Sequence, residues 1–164
     1  MISAAEALDS LQKGNERFLS DPKTDNAKRR SAWLGQARSA HKSDRKNSNV
    51  PEQEPFAIVL GCSDARVPLE IVFDQGLGDL FVIRVAGNIV APSLIGSIEY
   101  AATEFGPRLV VVVGHSDCGA IATTLKELEQ PNENRSPNLA SIVKRIRPAI
   151  EPLVANVELM DRNT

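Results

Sequence analysis

Two short segments hold almost all of the chain's reactive side chains. One is Gly61-Cys62-Ser63-Asp64-Ala65-Arg66 and the other is Gly114-His115-Ser116-Asp117-Cys118-Gly119. The 164 residues include only 2 cysteines and 2 histidines, and both cysteines and one histidine fall in these segments. Thiol and imidazole together leave three chemistries open: a metal centre, a Cys–His nucleophilic pair, or a redox pair of cysteines. Two thiolates and one imidazole match the Cys₂His arrangement of catalytic zinc, whose fourth position is left for water or a labile group. Thiolates suit zinc better than magnesium or calcium, which prefer oxygen. Asp64 is near enough in sequence to take that fourth position or to hydrogen-bond beside it. Two cysteines are too few for a disulfide framework.

The elements that must position these residues follow from the apolar pattern. Phe56-Ala57-Ile58-Val59-Leu60 is a short apolar run ending in Gly61, as expected of a strand buried on both faces. Leu80-Phe81-Val82-Ile83, leading to Arg84, and Leu109 to Val113, ending at Gly114, repeat the pattern. Between them, Leu94, Ile98, Ala101, Ala102 and Phe105 have helical spacing, and Gly106-Pro107 stops that helix. Ala120 to Glu129 and Pro137 to Ile146 read as two further helices, and a weaker one as Pro148 to Met160. Strands alternating with helices predict an α/β fold with a mostly parallel sheet flanked by helices. In such a sheet, ligands bind beyond the carboxyl ends of strands where strand order reverses, so the two reactive segments are expected to form one site.

At the N-terminus, residues 3–19 read as an amphipathic helix. Ser3 and Glu6 form a capping box, and Ala4, Leu8, Leu11 and Phe18 lie near one face. From Asp21 to Pro55 the chain is polar and basic without apolar periodicity. It reads either as a solvated connecting arm or as an arm that wraps a partner subunit, anchored by Trp33 and Leu34. The whole is expected to be one domain over 1–164, with helix and arm at 1–54 and the α/β core at 55–164.

Composition narrows the partners. A formal net charge of −2 and 4% aromatic residues give no electrostatic or stacking reason to expect nucleic acid. No apolar run approaches bilayer length, and Met1 to Glu6 lacks a secretory pattern, so a cytoplasmic protein is expected.

Together, Cys62-Ser63-Asp64-Ala65-Arg66 and His115-Ser116-Asp117-Cys118-Gly119 resemble the paired signature of the β-class carbonic anhydrases. The resemblance extends through Asp74 to Arg84 and Gly96 to Ala101, running from about Pro55 to Leu125. It implies a Zn²⁺ enzyme that hydrates CO₂ to bicarbonate and a proton, assembled as a homodimer or higher homo-oligomer. Cys62, His115 and Cys118 would hold the metal, while Asp64 either ligates it or pairs with Arg66. The resemblance further implies that Asp64, held ionised by Arg66, accepts a hydrogen bond from the attacking oxygen. Gly87 would line the site, Ser63 and Ser116 would orient ligands, and Gln75 would orient substrate, although its register is shifted by one residue. His41 has no motif to make it a proton shuttle. A regulatory bicarbonate pocket of some members needs a tryptophan where this chain has Val59, though Arg84 matches another of its residues. The resemblance also implies that the usual C-terminal strand and helix are missing here.

Other functions remain to be weighed. The same zinc site could hydrolyse carbonyl sulfide or carbon disulfide, because access to a small apolar pocket decides that choice. A zinc-binding homologue without activity and a nucleotide-binding module are the remaining readings. Against the last, no glycine-rich fingerprint follows the first strand, and Gly76-Leu77-Gly78 is weak alone.

Overall fold

A computed structural model describes residues 2–20, 53–131 and 136–161, with side chains described to residue 154. The three apolar runs form parallel strands β1 (Ala57–Gly61), β2 (Leu80–Arg84) and β3 (Val110–Val113). Their order is β2-β1-β3, so β1 is central and every one of its residues is buried. Ala57 to Gly61 pair with Leu80 to Arg84 on one side, and Ile58 to Gly61 with Val110 to Val113 on the other.

The helices are α1 (Ala4–Ser20), α2 (Leu69–Val72), α3 (Pro92–Glu104), α4 (Gly119–Glu129) and α5 (Pro137–Asp161), with a short 3₁₀ turn at Ala86–Asn88. The two-residue period of β1 divides the core. Ala57 and Val59 face Leu11 of α1 and Leu69 of α2, while Ile58 and Leu60 face Ala101 of α3. The chain moves from β1 to β2 with α2 on one face, then back across to β3 with α3 on the other. Right-handed crossovers require that alternation. Strand order therefore reverses between β1 and β3, and both reactive segments leave the sheet at that point.

The expected capping box is formed: the Ser3 N–H donates to Glu6 Oε2 at 2.8 Å, and the Glu6 N–H to Ser3 Oγ at 3.2 Å. The buried stripe of α1 differs from the expected one. It runs through Ala7, Leu11 and Gly14, while Leu8 is exposed. Close approach to the carboxyl end of α2 selects glycine at position 14, since a Cβ there would lie 1.7 Å from the Phe73 carbonyl oxygen. Asn15 Nδ2 donates to the Val72 carbonyl, and Arg17 pairs with Asp74 at 2.6 Å, closing the same joint.

A second correction concerns the two predicted C-terminal helices, which are one helix, α5, with Pro148 and Pro152 inside it. Proline removes a helical hydrogen bond, and this normally favours a break. Here Ile146 and Ile150 pack on one cluster with Ile89 and partly buried Ala120 and Ile121, so the buried face runs continuously past Pro148. Most of the basic arm, including Trp33, Leu34 and His41, lies outside the described residues.

Candidate metal centre

Strand geometry alone brings the donors together. Gly61 and Val113 are register partners at the ends of β1 and β3, so Cys62 and the His115–Cys118 turn emerge side by side. The turn depends on Asp117, whose φ of 54° lies in the left-handed region. That reversal sets Cys118 at the position just before α4. Cys62 Sγ and Cys118 Sγ are 3.9 Å apart. The ligand atoms of Cys62, His115 and Cys118 all lie within 4.8 Å of one another.

The donor set fits a zinc ion. Both cysteines are free thiols and buried. His115 Nδ1 lies 2.8 Å from the Ser116 carbonyl oxygen, an acceptor only, which places the ring proton on Nδ1. Its Nε2 is buried with no hydrogen-bond partner, leaving a lone pair aimed at the sulfurs' neighbourhood. Orphaned buried polar atoms are uncommon, and a metal ion would satisfy this one. The Ser116 main chain, rather than its hydroxyl, is what engages the histidine.

Asp64 stands beside the cluster, with Oδ2 3.9 Å from His115 Nε2. It is paired with Arg66 in this structure: Arg66 Nε and Nη2 donate to Oδ1 at 2.9 Å and Oδ2 at 2.8 Å. Arg66 Nη2 also donates to the Asp117 carbonyl at 2.9 Å, joining the two segments. These bonds hold the Asp64 carboxyl well below the usual carboxylate range, and Asp64 in turn raises Arg66.

The thiol and imidazole shift each other. Burial pushes the Cys62 thiol up, but its proximity to His115 and the Gly87 N–H outweigh this and bring it down to about 7. His115 is pushed up, chiefly by Cys62. The Gly87 N–H lies 3.3 Å from Cys62 Sγ. Gly87 is required to be glycine there: its φ is 66°, and a Cβ would lie 2.7 Å from Ile146 Cδ1.

Gln75 is not brought to the cluster within one chain. Its amide donates to the Phe73 carbonyl at 2.7 Å and the Ser10 carbonyl at 3.4 Å, so it belongs to the α1–α2 joint. Val59 is fully buried in the core. Arg84 enters the site where no catalytic or ligand role was expected of it. It donates through Nε to the Cys62 carbonyl at 2.9 Å and through Nη2 to the Asp64 carbonyl at 2.6 Å. The available signal was a single charged residue closing an apolar strand beside the one that carries Cys62.

A family model described as "Carbonic anhydrase" matches residues 57–163. The chain is 47% identical over 107 residues to a carbonic anhydrase of Mycolicibacterium smegmatis, covering 65% of this chain and 52% of that protein. It is 36% identical over 149 residues to carbonic anhydrase 2 of Mycobacterium tuberculosis, covering 88% of this chain and 63% of that one. The chain thus spans between half and two thirds of the length of these curated relatives. Among solved structures it is similar to tetrameric β-carbonic anhydrases of Sordaria macrospora, with a TM-score of 0.61 and 26% identity over 79% of this chain and 64% of that one.

Proposed function

The chain belongs to the carbonic anhydrase family, in its β class, and from that premise we propose that it catalyses the reversible hydration of CO₂ to bicarbonate and a proton at a zinc centre. The observation that carries this reading is the convergence of Cys62, His115 and Cys118 beside the Asp64–Arg66 pair. Cys62, His115 and Cys118 would hold the ion. When bound, it supplies the Lewis acidity that makes hydroxide available near neutral pH.

The remaining work falls to the protein. Asp64, kept ionised by Arg66, accepts a hydrogen bond from the attacking oxygen and so aims its lone pair at carbon. Arg66, by also holding the Asp117 carbonyl, keeps that carboxylate in line with the His115–Cys118 turn. Gly87 leaves Cys62 room and steadies its sulfur. The free thiols at the site fit a reducing, cytoplasmic setting. A homo-oligomer is part of the same reading, supported by the tetrameric Sordaria enzymes.

The test is the CO₂ hydration rate of the zinc-supplemented chain at about pH 8.5, beside a Cys118→Ala variant. Rapid hydration that is lost in the variant is expected. Zinc bound without hydration would instead make this chain a binding homologue. Turnover of carbonyl sulfide but not CO₂ would move the substrate while keeping the site.

A further inference from the structure

Beyond Gly61 the chain leaves the sheet, and its backbone needs new partners. Two bonds still tie it to β2's extension: the Val85 N–H donates to the Gly61 carbonyl, and the Ser63 N–H to the Val85 carbonyl. The Cys62 carbonyl has no such place, because β3 ends at Val113, level with Gly61. Arg84 is the register partner of Gly61, and its guanidinium takes that carbonyl at 2.9 Å and the Asp64 carbonyl at 2.6 Å. The Asp64 carbonyl also accepts from the Val67 N–H at 3.1 Å.

We propose that Arg84 is a positioning residue of the metal centre, clamping the Cys62–Asp64 backbone so that the Cys62 sulfur and Asp64 carboxylate stay aligned with His115 and Cys118. The inference rests on reading Cys62, His115 and Cys118 as metal ligands. Asp64 is held at both ends, its carbonyl by Arg84 and its carboxylate by Arg66. Arg66 then passes the restraint to the opposite segment through the Asp117 carbonyl. The two arginines therefore tie three strand ends together, with Arg84 reaching in from β2, a strand that supplies no ligand of its own. A rigid fork holds two carbonyls at once in fixed directions. A lysine has donors enough for both, but its flexible stem and rotatable ammonium fix neither in direction.

Groups that steady a ligand's own partners typically change metal affinity by about 10–100-fold when removed. The experiment loads the full chain with cobalt(II), records the thiolate-to-cobalt absorption, and measures metal release to a chelator. Arg84→Ala is expected to release cobalt about tenfold faster or more, with an altered absorption band, and Arg84→Lys to fall between it and the unsubstituted chain. Arg17→Ala, which breaks the Arg17–Asp74 pair at the α1–α2 joint, is expected to lower the unfolding midpoint without changing release. Release and spectrum unchanged in Arg84→Ala would overturn the inference. If that variant does not fold, folded Arg84→Lys and Arg84→Gln decide it in the same way: wild-type behaviour in both overturns it. Failure of the unsubstituted chain to bind cobalt at all would overturn the metal-centre reading, and the role of Arg84 with it.

Discussion

Cys62 sits among groups that pull on its proton in opposite directions. Burial favours the neutral thiol, while His115 and the Gly87 N–H favour the thiolate and prevail. In the metal-free chain, thiolate absorbance near 240 nm that disappears in Cys62→Ser is expected to titrate with a midpoint of about 7. A midpoint near the ordinary value of 9.0 would show that the pairing is absent. The sign for stability follows from linkage. A thiol lowered in the folded state contributes stability that is present above 9.0 and lost as pH falls through about 7. His115 works the other way: its raised value contributes stability below 6.5 that is lost as pH rises past that raised value. The three donors were legible in the sequence because side-chain type announces them. Arg84 and Gly87 were not legible in their observed roles, because both act on the site through main-chain atoms. Arg84 grips carbonyls and Gly87 offers an N–H, and neither is encoded in the identity of the residue that benefits.

The joint between α1 and α2 shows how an element can be foreseen and its buried face misplaced. The capping box and helical period of α1 are local properties, so the helix and its start were readable. The face it buries is set by what it meets, and the carbonyl end of α2 demands Gly14 where hydropathy alone favoured Leu8. Gly14→Ala would drive a methyl into the Phe73 carbonyl, so it is expected to destabilise the chain by about 1–3 kcal/mol. Urea unfolding measures this, and a loss below about 0.5 kcal/mol would mean that α1 shifts freely on the sheet. Similarly, α5 runs through Pro148 because Ile146 and Ile150 bury against the same cluster on either side of it. Local propensity predicted a break, and tertiary packing overrode it.

The sheet as a whole is left open. Among the described residues no strand pairs with the far side of β3. The Ile58 N–H donates to the Leu109 carbonyl, so alternation turns the backbone groups of Val110 and Val112 away from β1. Their side chains are exposed too, at 47% and 61%. An open apolar edge is a template for pairing with another chain. Val112→Lys is therefore expected to weaken the self-association proposed above by about tenfold or more in dissociation constant, as sedimentation would measure. Its unfolding free energy should change by no more than about 0.5 kcal/mol. An unchanged dissociation constant would place the contact elsewhere.

The placement of the donors on β1 and on the turn after β3 also has a consequence in time. Cys62 is synthesised about 50 residues before His115, which at ordinary rates of translation is an interval of about 3–10 s. The first thiol must wait out that interval without the other two donors, whereas His115 and Cys118 emerge almost together. The three-donor set is therefore complete only once Cys118 has been made, so an ion held by all three would join the nascent chain late.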